Sequence, residues 1–359
     1  MESMRRSHMW FVDWIRNHSP TMAFEPGTRG IVTSAGGAYF PVLLVSLRFL
    51  RRTGSILPVE VFLATPNEYE PLVCETILPA LNAKCIVLSD IVDAYTLPFL
   101  FDKYQLKIFS ILFSSFESVL FLDADNFPVR APENLFDSEP YLSENLVLWP
   151  DYWSSTVSPQ FITIAGLEEG VLENRPTIEA GQLLVSKSKQ AETLLLAAYY
   201  NCYADYYYHL LSQGGPGEGD KDTFAAAALV LDAPLYTVHR RPIPFGIRNQ
   251  GAAVLQADPM EDFDNNGGTP RPLFIHASWP PKLNALHNQR DVRQWGSEEN
   301  SKKLFGEDME PIAWGYMVDM ACEEGLEFKD WGNGNKSNTT VCEQTRHSFH
   351  KMFGRNYGE

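Results

Sequence analysis

The sequence has no run of about 18 apolar residues, so no helix of this chain is expected to cross a bilayer. The stretch Met1–Pro20 does not read as a signal peptide either. Arg5 and Arg6 are followed by Asp13 and Arg16, where an uninterrupted apolar segment is needed. A membrane anchor, if there is one, is therefore expected outside this chain. Positive charge is scarce: 29 Lys and Arg stand against 45 Asp and Glu, a formal net charge of −16. That balance argues against a nucleic-acid partner, whose phosphates are met by Lys and Arg. None of the five cysteines has C-x-x-C spacing, which argues against a structural zinc site. Internal repeats and low-complexity linkers are missing too, so one domain is the expected organisation.

What the chain does have is core. Hydrophobic residues make up 45% and aromatic residues 13% of 359 positions, ample for one large α/β domain. Cys322 and Cys342 flank a Gly- and Asn-rich stretch that a disulfide would tie down, and an odd cysteine count leaves at least one thiol unpaired within a monomer. Three sequons, at Asn17, Asn335 and Asn338, lean toward a secretory lumen.

Apolar runs and helical periods alternate along the first half. Strands are expected at Gly30–Ala35, Pro58–Ala64, Lys84–Leu88 and Val119–Leu122. Between them, helices are expected at Tyr39–Arg52, Pro66–Leu81 and Tyr104–Phe116, the first amphipathic with Leu43, Leu44, Leu47 and Leu50 on one face. The turn Gly36-Gly37 closes the first strand. Such alternation implies a mainly parallel, Rossmann-like sheet with helices on both faces. Further on, Val147–Trp153 reads as a strand entering an aromatic loop and Thr177–Ser186 as another strand. Gln190–Ser212 reads as one long helix, and a helix runs through Val230 from the segment Asp220–Phe224. Leu235–Val238 and Leu273–His276 read as short strands.

The most informative stretch is Glu117-Ser-Val-Leu-Phe-Leu-Asp-Ala-Asp-Asn-Phe-Pro-Val-Arg130. A buried strand ends there in Asp123 and Asp125. Two ionised carboxylates cannot stay dry and unpaired at such a place, because desolvating them is costly. Ligands of α/β sheets gather at the carboxyl ends of the strands. A divalent cation holding a diphosphate would account for both acids; a capping pair in the turn before Pro128 is the plainer alternative. Phe274-Ile-His-Ala-Ser-Trp-Pro-Pro-Lys282 adds an imidazole, His276, and an ammonium, Lys282, around Trp279. Gly217-Glu-Gly-Asp-Lys-Asp-Thr-Phe224 opens a helix with three acids, Glu218, Asp220 and Asp222, more than capping needs, so these acids are candidates for sugar hydroxyls, with Lys221 among them a further substrate-binding candidate. Glu179 interrupts an apolar strand, with Gln182 close behind, and an acid there is expected to face a site rather than the core. Trp149, Tyr152 and Trp153 surround Asp151, offering flat faces for sugar C–H groups or, alternatively, core packing.

Together with Pro26–Val32, Leu57–Val61 and Lys103–Phe109, these motifs make the chain resemble the fungal Golgi α-mannosyltransferases of the MNN type, glycosyltransferase family 71. The similar segments run in order from about residue 24 to 285, and the Gly219-Asp-Lys-Asp-Thr-Phe224 variety looks most like the α-1,2 branch-initiating enzymes. The resemblance implies a GT-A-type nucleotide-diphospho-sugar transferase fold over residues 24–295. An N-terminal extension (1–23) and a C-terminal helical extension with a polar tail (296–359) would complete the chain. It implies GDP-mannose as donor, Mn²⁺ or Mg²⁺ as cofactor, and retention at the anomeric carbon. Asp123, Asp125 and His276 would hold the metal. Lys282 with Lys103 or Lys107 would assist the diphosphate, and Glu179 or Asp222 would act at the sugar ring or on the acceptor. The implied setting is the Golgi lumen, with an oligomannose acceptor and a complex with other Golgi mannosyltransferases. An α-1,3 linkage, a UDP-sugar donor, a non-catalytic carbohydrate-binding protein and a two-acid glycoside hydrolase are the alternatives.

Overall fold

The computed structural model describes residues 1–92, 104–172, 175–246, 253–264, 267–277, 282–283, 291–323, 326, 328–334 and 340–358. Eleven strands are found among them: β1 Glu25–Ser34, β2 Val59–Leu63, β3 Ala83–Val87, β4 Phe116–Leu122, β5 Asn126–Pro128, β6 Leu146–Ser154, β7 Pro176–Ser186, β8 Tyr236–Thr237, β9 Ile243–Pro244, β10 Val254–Ala257 and β11 Pro272–His276. Seven form one sheet in the order β3-β2-β1-β4-β7-β6-β8. Its β3-β2-β1-β4 half is parallel, β7 is antiparallel to both β4 and β6, and β6 and β8 are parallel. This is the α/β architecture expected from the alternation of strands and helices.

The two-residue period of the strands sorts their side chains into two cores. Ile31, Leu120, Leu122, Val147 and Leu184 enter one, and Val32, Val119, Phe121, Leu148 and Val185 the other. Helix Tyr39–Arg52 covers the first face; helices Gln105–Phe113, Ala191–Cys202 and Thr223–Leu231 cover the second. Gly37, at φ +51, turns the chain from β1 into the first of these helices.

Several expectations need amending. Helix Tyr39–Arg52 is buried nearly all round rather than on one stripe, because helix Met309–Ala321 packs over its outer side and Arg48 donates to the Tyr316 carbonyl. The helix expected over Pro66–Leu81 is broken into a 3₁₀ turn at Pro66–Glu68 and a π-turn at Val73–Ile77 that runs into Leu78–Ala80. Pro71 and Pro79 remove N–H donors that a continuous helix needs. The long helix of Gln190–Ser212 is two, Ala191–Cys202 and Ala204–Ser212. Strand β6 continues through the segment expected to be an aromatic loop.

A second sheet, in the order β5-β11-β10-β9, is antiparallel and was not legible in the pattern. Helix Glu2–His18 docks on the second face through His8, Val12 and Ile15. His8 is stacked on Tyr200 and lies 2.8 Å from its hydroxyl, and burial pushes the imidazole down to about 4. Disulfides join Cys74 to Cys85 and Cys322 to Cys342, and the Cys202 thiol is free.

The C-terminal helices Met309–Ala321 and Val341–Phe353 share the first core through Trp314, Met317 and Phe349. Glu310 is buried among them. Arg293 lies 3.5 Å away, but its fork is taken by Asp308 at 2.7 Å on both oxygens. Burial therefore dominates and pushes the Glu310 carboxyl up to about 8. A carboxyl whose pKa is raised on folding holds its proton more tightly in the native state, so stability falls as pH rises from the unfolded value of 4.5 toward 8. Urea unfolding between pH 5 and 8 is expected to show this decline, at most about 1.4 kcal/mol per pH unit from one group. Glu310→Gln should flatten it; an unchanged slope in that variant would reject the assignment.

Candidate active site

The site forms where the two sheets meet. After Leu122 the chain leaves β4 and turns within four residues, closed by the Asn126 N–H donating to the Asp123 carbonyl at 3.0 Å. It then enters the second sheet as β5. There Asn126 pairs in register with His276 of β11, and the Ala277 N–H donates to the Asp125 carbonyl at 2.9 Å. Strand pairing thus delivers an imidazole to the acid pair. On the other side, β7 bulges: Leu148 pairs with Leu183 but Trp149 pairs with Glu179, leaving Ala180–Gln182 without partners on β6. The freed Gly181 carbonyl accepts from the Asp123 N–H at 2.8 Å and from Asn126 Nδ2 at 2.8 Å.

Asp123, Asp125 and His276 each offer a ligand atom within 4.8 Å of the others. His276 Nε2 lies 3.3 Å from Asp125 Oδ1 and 3.9 Å from Asp123 Oδ2. Lys282 Nζ is 2.7 Å from Asp125 Oδ2. Beneath Asp123, the buried Lys107 donates to the Ala180 carbonyl at 2.5 Å and lies 3.4 Å from Asp123 and 3.3 Å from Asp220. Burial acts to raise the Asp125 carboxyl, but His276 and Lys282 outweigh it and hold the group well below the usual range. Burial, reinforced by Asp125, raises Asp123 against the pull of Lys107. His276 is held well above its ordinary value, Glu179 and Asp125 together overcoming burial.

The residues present fit a divalent cation. Four carboxylates (Asp123, Asp125, Glu179, Asp220) face two ammonium groups, Lys107 and Lys282. Adding one divalent ion balances them with the imidazole uncharged. Among the described residues the buried His276 Nε2 makes no aligned hydrogen bond and faces only the carboxylates of Asp125 and Asp123. Carboxylates suit both Mn²⁺ and Mg²⁺, and an imidazole is an accepted ligand for first-row metals.

The other candidates divide. Gln182 accepts from Asn126 Nδ2 at 2.6 Å and donates to Glu179 Oε2 at 2.8 Å, so it is part of the frame. Asp151 and Lys221 pair at 3.1 Å, and Lys221 also donates to the Pro216 carbonyl, so this ammonium ties down its loop. Asp222 stands at the N-cap of its helix but makes no side-chain cap bond; its Oδ1 accepts from the Ile178 N–H at 2.9 Å, while Oδ2 is buried with no hydrogen-bond partner among the described residues. Burial pushes this carboxyl up to about 6. Asp222 lines a cavity of about 390 Å³ with Arg175, Ile178, Tyr236 and Arg241. Tyr152 and Trp153 are exposed and free to meet a sugar. Trp149 is not. The strand period turns it into the core, where its Nε1 donates to the Ala257 carbonyl at 2.8 Å and its ring meets Phe274 edge to face. Its expected sugar contact is therefore replaced by packing. Lys103 and Trp279 lie outside the described residues. Three participants were not singled out as site residues: Asn126, directly after the acid pair; Gly181, inside the Glu179–Gln182 motif; and Gln256, 3.3 Å from Glu179, which no local pattern marks.

A cation-ready cluster, with Lys282 beside it, stands at the carboxyl edge of a largely parallel sheet, where ligands of α/β folds gather. A mannosyltransferase family profile matches residues 28–177 and 171–261. The chain is 33% identical to Alpha-1,2-mannosyltransferase MNN21 of Candida albicans, with 86% of this chain and 58% of that protein covered. It is 35% identical to Alpha-1,2-mannosyltransferase MNN2 of Saccharomyces cerevisiae, with 73% and 50% covered. It thus spans between half and three-fifths of the length of these relatives. Similar solved structures include the glycosyltransferase GlyE of Streptococcus pneumoniae TIGR4 (18% identity, TM-score 0.38, 59% of this chain and 45% of that one). The galactosyltransferase LgtC is another (15% identity, TM-score 0.39, 58% and 73% covered). The chain belongs to the mannosyltransferase family, as its motifs implied.

Proposed function

We propose that this chain is the GT-A-type catalytic domain of a retaining α-mannosyltransferase that moves mannose from GDP-mannose to a mannose hydroxyl of a glycan, forming an α-1,2 linkage. The observation that carries this reading is the convergence of Asp123, Asp125 and His276 within 4.8 Å, in a chain of this family. Mn²⁺ or Mg²⁺ held there would neutralise charge on a departing diphosphate. Lys282, partly exposed beside Asp125, adds a second positive charge toward the same oxygens. Lys107 is buried and acts on the ligand only through Asp123, whose carboxylate it holds in place. Asp222, with one oxygen uncommitted beside the cavity, positions the acceptor. The bond between the anomeric carbon and the diphosphate breaks with its electron pair going to the diphosphate. The acceptor oxygen bonds to that carbon from the same face, and its proton passes to a diphosphate oxygen, so no strong protein base is required. Two disulfides suit an oxidising compartment, in keeping with a Golgi lumenal setting and an oligomannose acceptor.

A donor screen by thermal shift tests the reading. GDP-mannose with Mn²⁺ should raise the melting temperature, since a ligand at 100 times its Kd adds about 2.7 kcal/mol to stability. UDP-glucose and UDP-galactose should not. A shift with a UDP-sugar alone would replace the donor, and survival of turnover in EDTA would remove the metal.

A further inference from the structure

Glu179 is too fully engaged to act on a sugar. Its Oε1 lies 2.9 Å from His276 Nδ1 and accepts from the Gly181 N–H at 2.9 Å. Its Oε2 accepts from Gln182 Nε2 at 2.8 Å and Gln256 Nε2 at 3.3 Å. Three hydrogen bonds and an ion pair on two oxygens leave little capacity for a hydroxyl, and the side chain is only 13% exposed. One of these partners is the His276 imidazole, and another, the Gly181 N–H, belongs to the residue on which that ring is seated. We propose that the segment Glu179-Ala-Gly-Gln182 is a positioning device for His276, with Glu179 acting through that ring rather than on the substrate. The inference rests on the metal reading above.

Gly181 supplies an independent argument. Its backbone does not adopt the left-handed conformation that favours glycine. What demands glycine is the ring: an added Cβ would lie 2.4 Å from His276 Cε1 and 2.5 Å from Nδ1. The imidazole is thus seated directly over the β7 backbone. Gln182 completes the frame by joining Glu179 to Asn126, the register partner of His276 across β5 and β11. Held this way, Nδ1 faces Glu179 and Nε2 faces the acid pair. A carboxylate on one nitrogen fixes which nitrogen is left for a metal and raises its basicity. The Nδ1 contact is a close ion pair rather than an aligned hydrogen bond.

The test uses the full chain and Mn²⁺ itself. Free Mn²⁺ is titrated by electron paramagnetic resonance in the wild type, Glu179→Gln and Gly181→Ala, with metal-free melting curves for each. Glu179→Gln should weaken Mn²⁺ binding by about 10- to 100-fold with melting near the wild type, and Gly181→Ala by at least as much, with a lower melting temperature because its Cβ overlaps the buried ring. The Mn²⁺ concentration for half-maximal turnover in Glu179→Gln should rise in step, while kcat at saturating Mn²⁺ stays within about tenfold. Wild-type Mn²⁺ affinity in Glu179→Gln overturns the positioning role, and so does a collapse of kcat with affinity unchanged, which would place the acid on the sugar. A wild type that binds no Mn²⁺ sinks the metal reading itself, and the inference with it.

Discussion

Asp125→Asn is expected to lower turnover by about 10³-fold or more while the protein stays folded, a loss of roughly 4 kcal/mol of transition-state stabilisation. The substitution keeps the shape of the side chain and one acceptor oxygen. It removes the charge that both His276 and Lys282 face, at 3.3 Å and 2.7 Å. Asp125 is the more buried of the two acids, with 3% of its side chain exposed against 32% for Asp123, so water cannot substitute for the missing charge. The measurement is release of GDP from GDP-mannose with Mn²⁺, alongside circular dichroism. Near-wild-type release in the variant would remove Asp125 from the metal set.

Lys107→Met should be the most destabilising single change near the site, costing about 3–5 kcal/mol at pH 7. The methionine keeps most of the volume but leaves the buried Asp220 facing the part-exposed Asp123 without the ammonium between them. The Ala180 carbonyl at the β7 bulge loses its donor as well. Both carboxyls are already raised by burial with Lys107 present, so losing it raises them further. A raised carboxyl stabilises the native state relative to the unfolded chain only while protonated. The deficit should therefore shrink as pH falls toward the range where both acids take up protons. Urea unfolding at pH 7 and pH 5 reads both effects; equal stability of variant and wild type at pH 7 would show that the lysine does not bridge the acids.

The parts of this protein legible in its sequence are those where one local pattern has one physical solution. An apolar β-branched and aromatic run stopped by two acids reads as a buried strand, and β4 is that strand. Helix Tyr39–Arg52 and strand β2 were placed within a residue or so by periodicity and turn residues. Trp149 shows the limit. An aromatic in a strand faces core or solvent according to register, and the bulge in β7 that sets this register is made by contacts with β4 and β5.

Glu179 makes the same point for chemistry. That an acid in an apolar strand needs a partner follows from desolvation alone. That the partner is an imidazole from β11 follows from a second sheet whose strands are two to five residues long, too short to carry a period. By itself, then, the sequence determined the family, the parallel half of the sheet and the acid pair at its edge, because each rests on neighbours along the chain. Only the tertiary structure decided which lysine is buried, which acid is spent on the histidine and which tryptophan is core. Those outcomes depend on pairings between segments far apart in sequence, and burial and charge neutralisation are properties of the assembled neighbourhood.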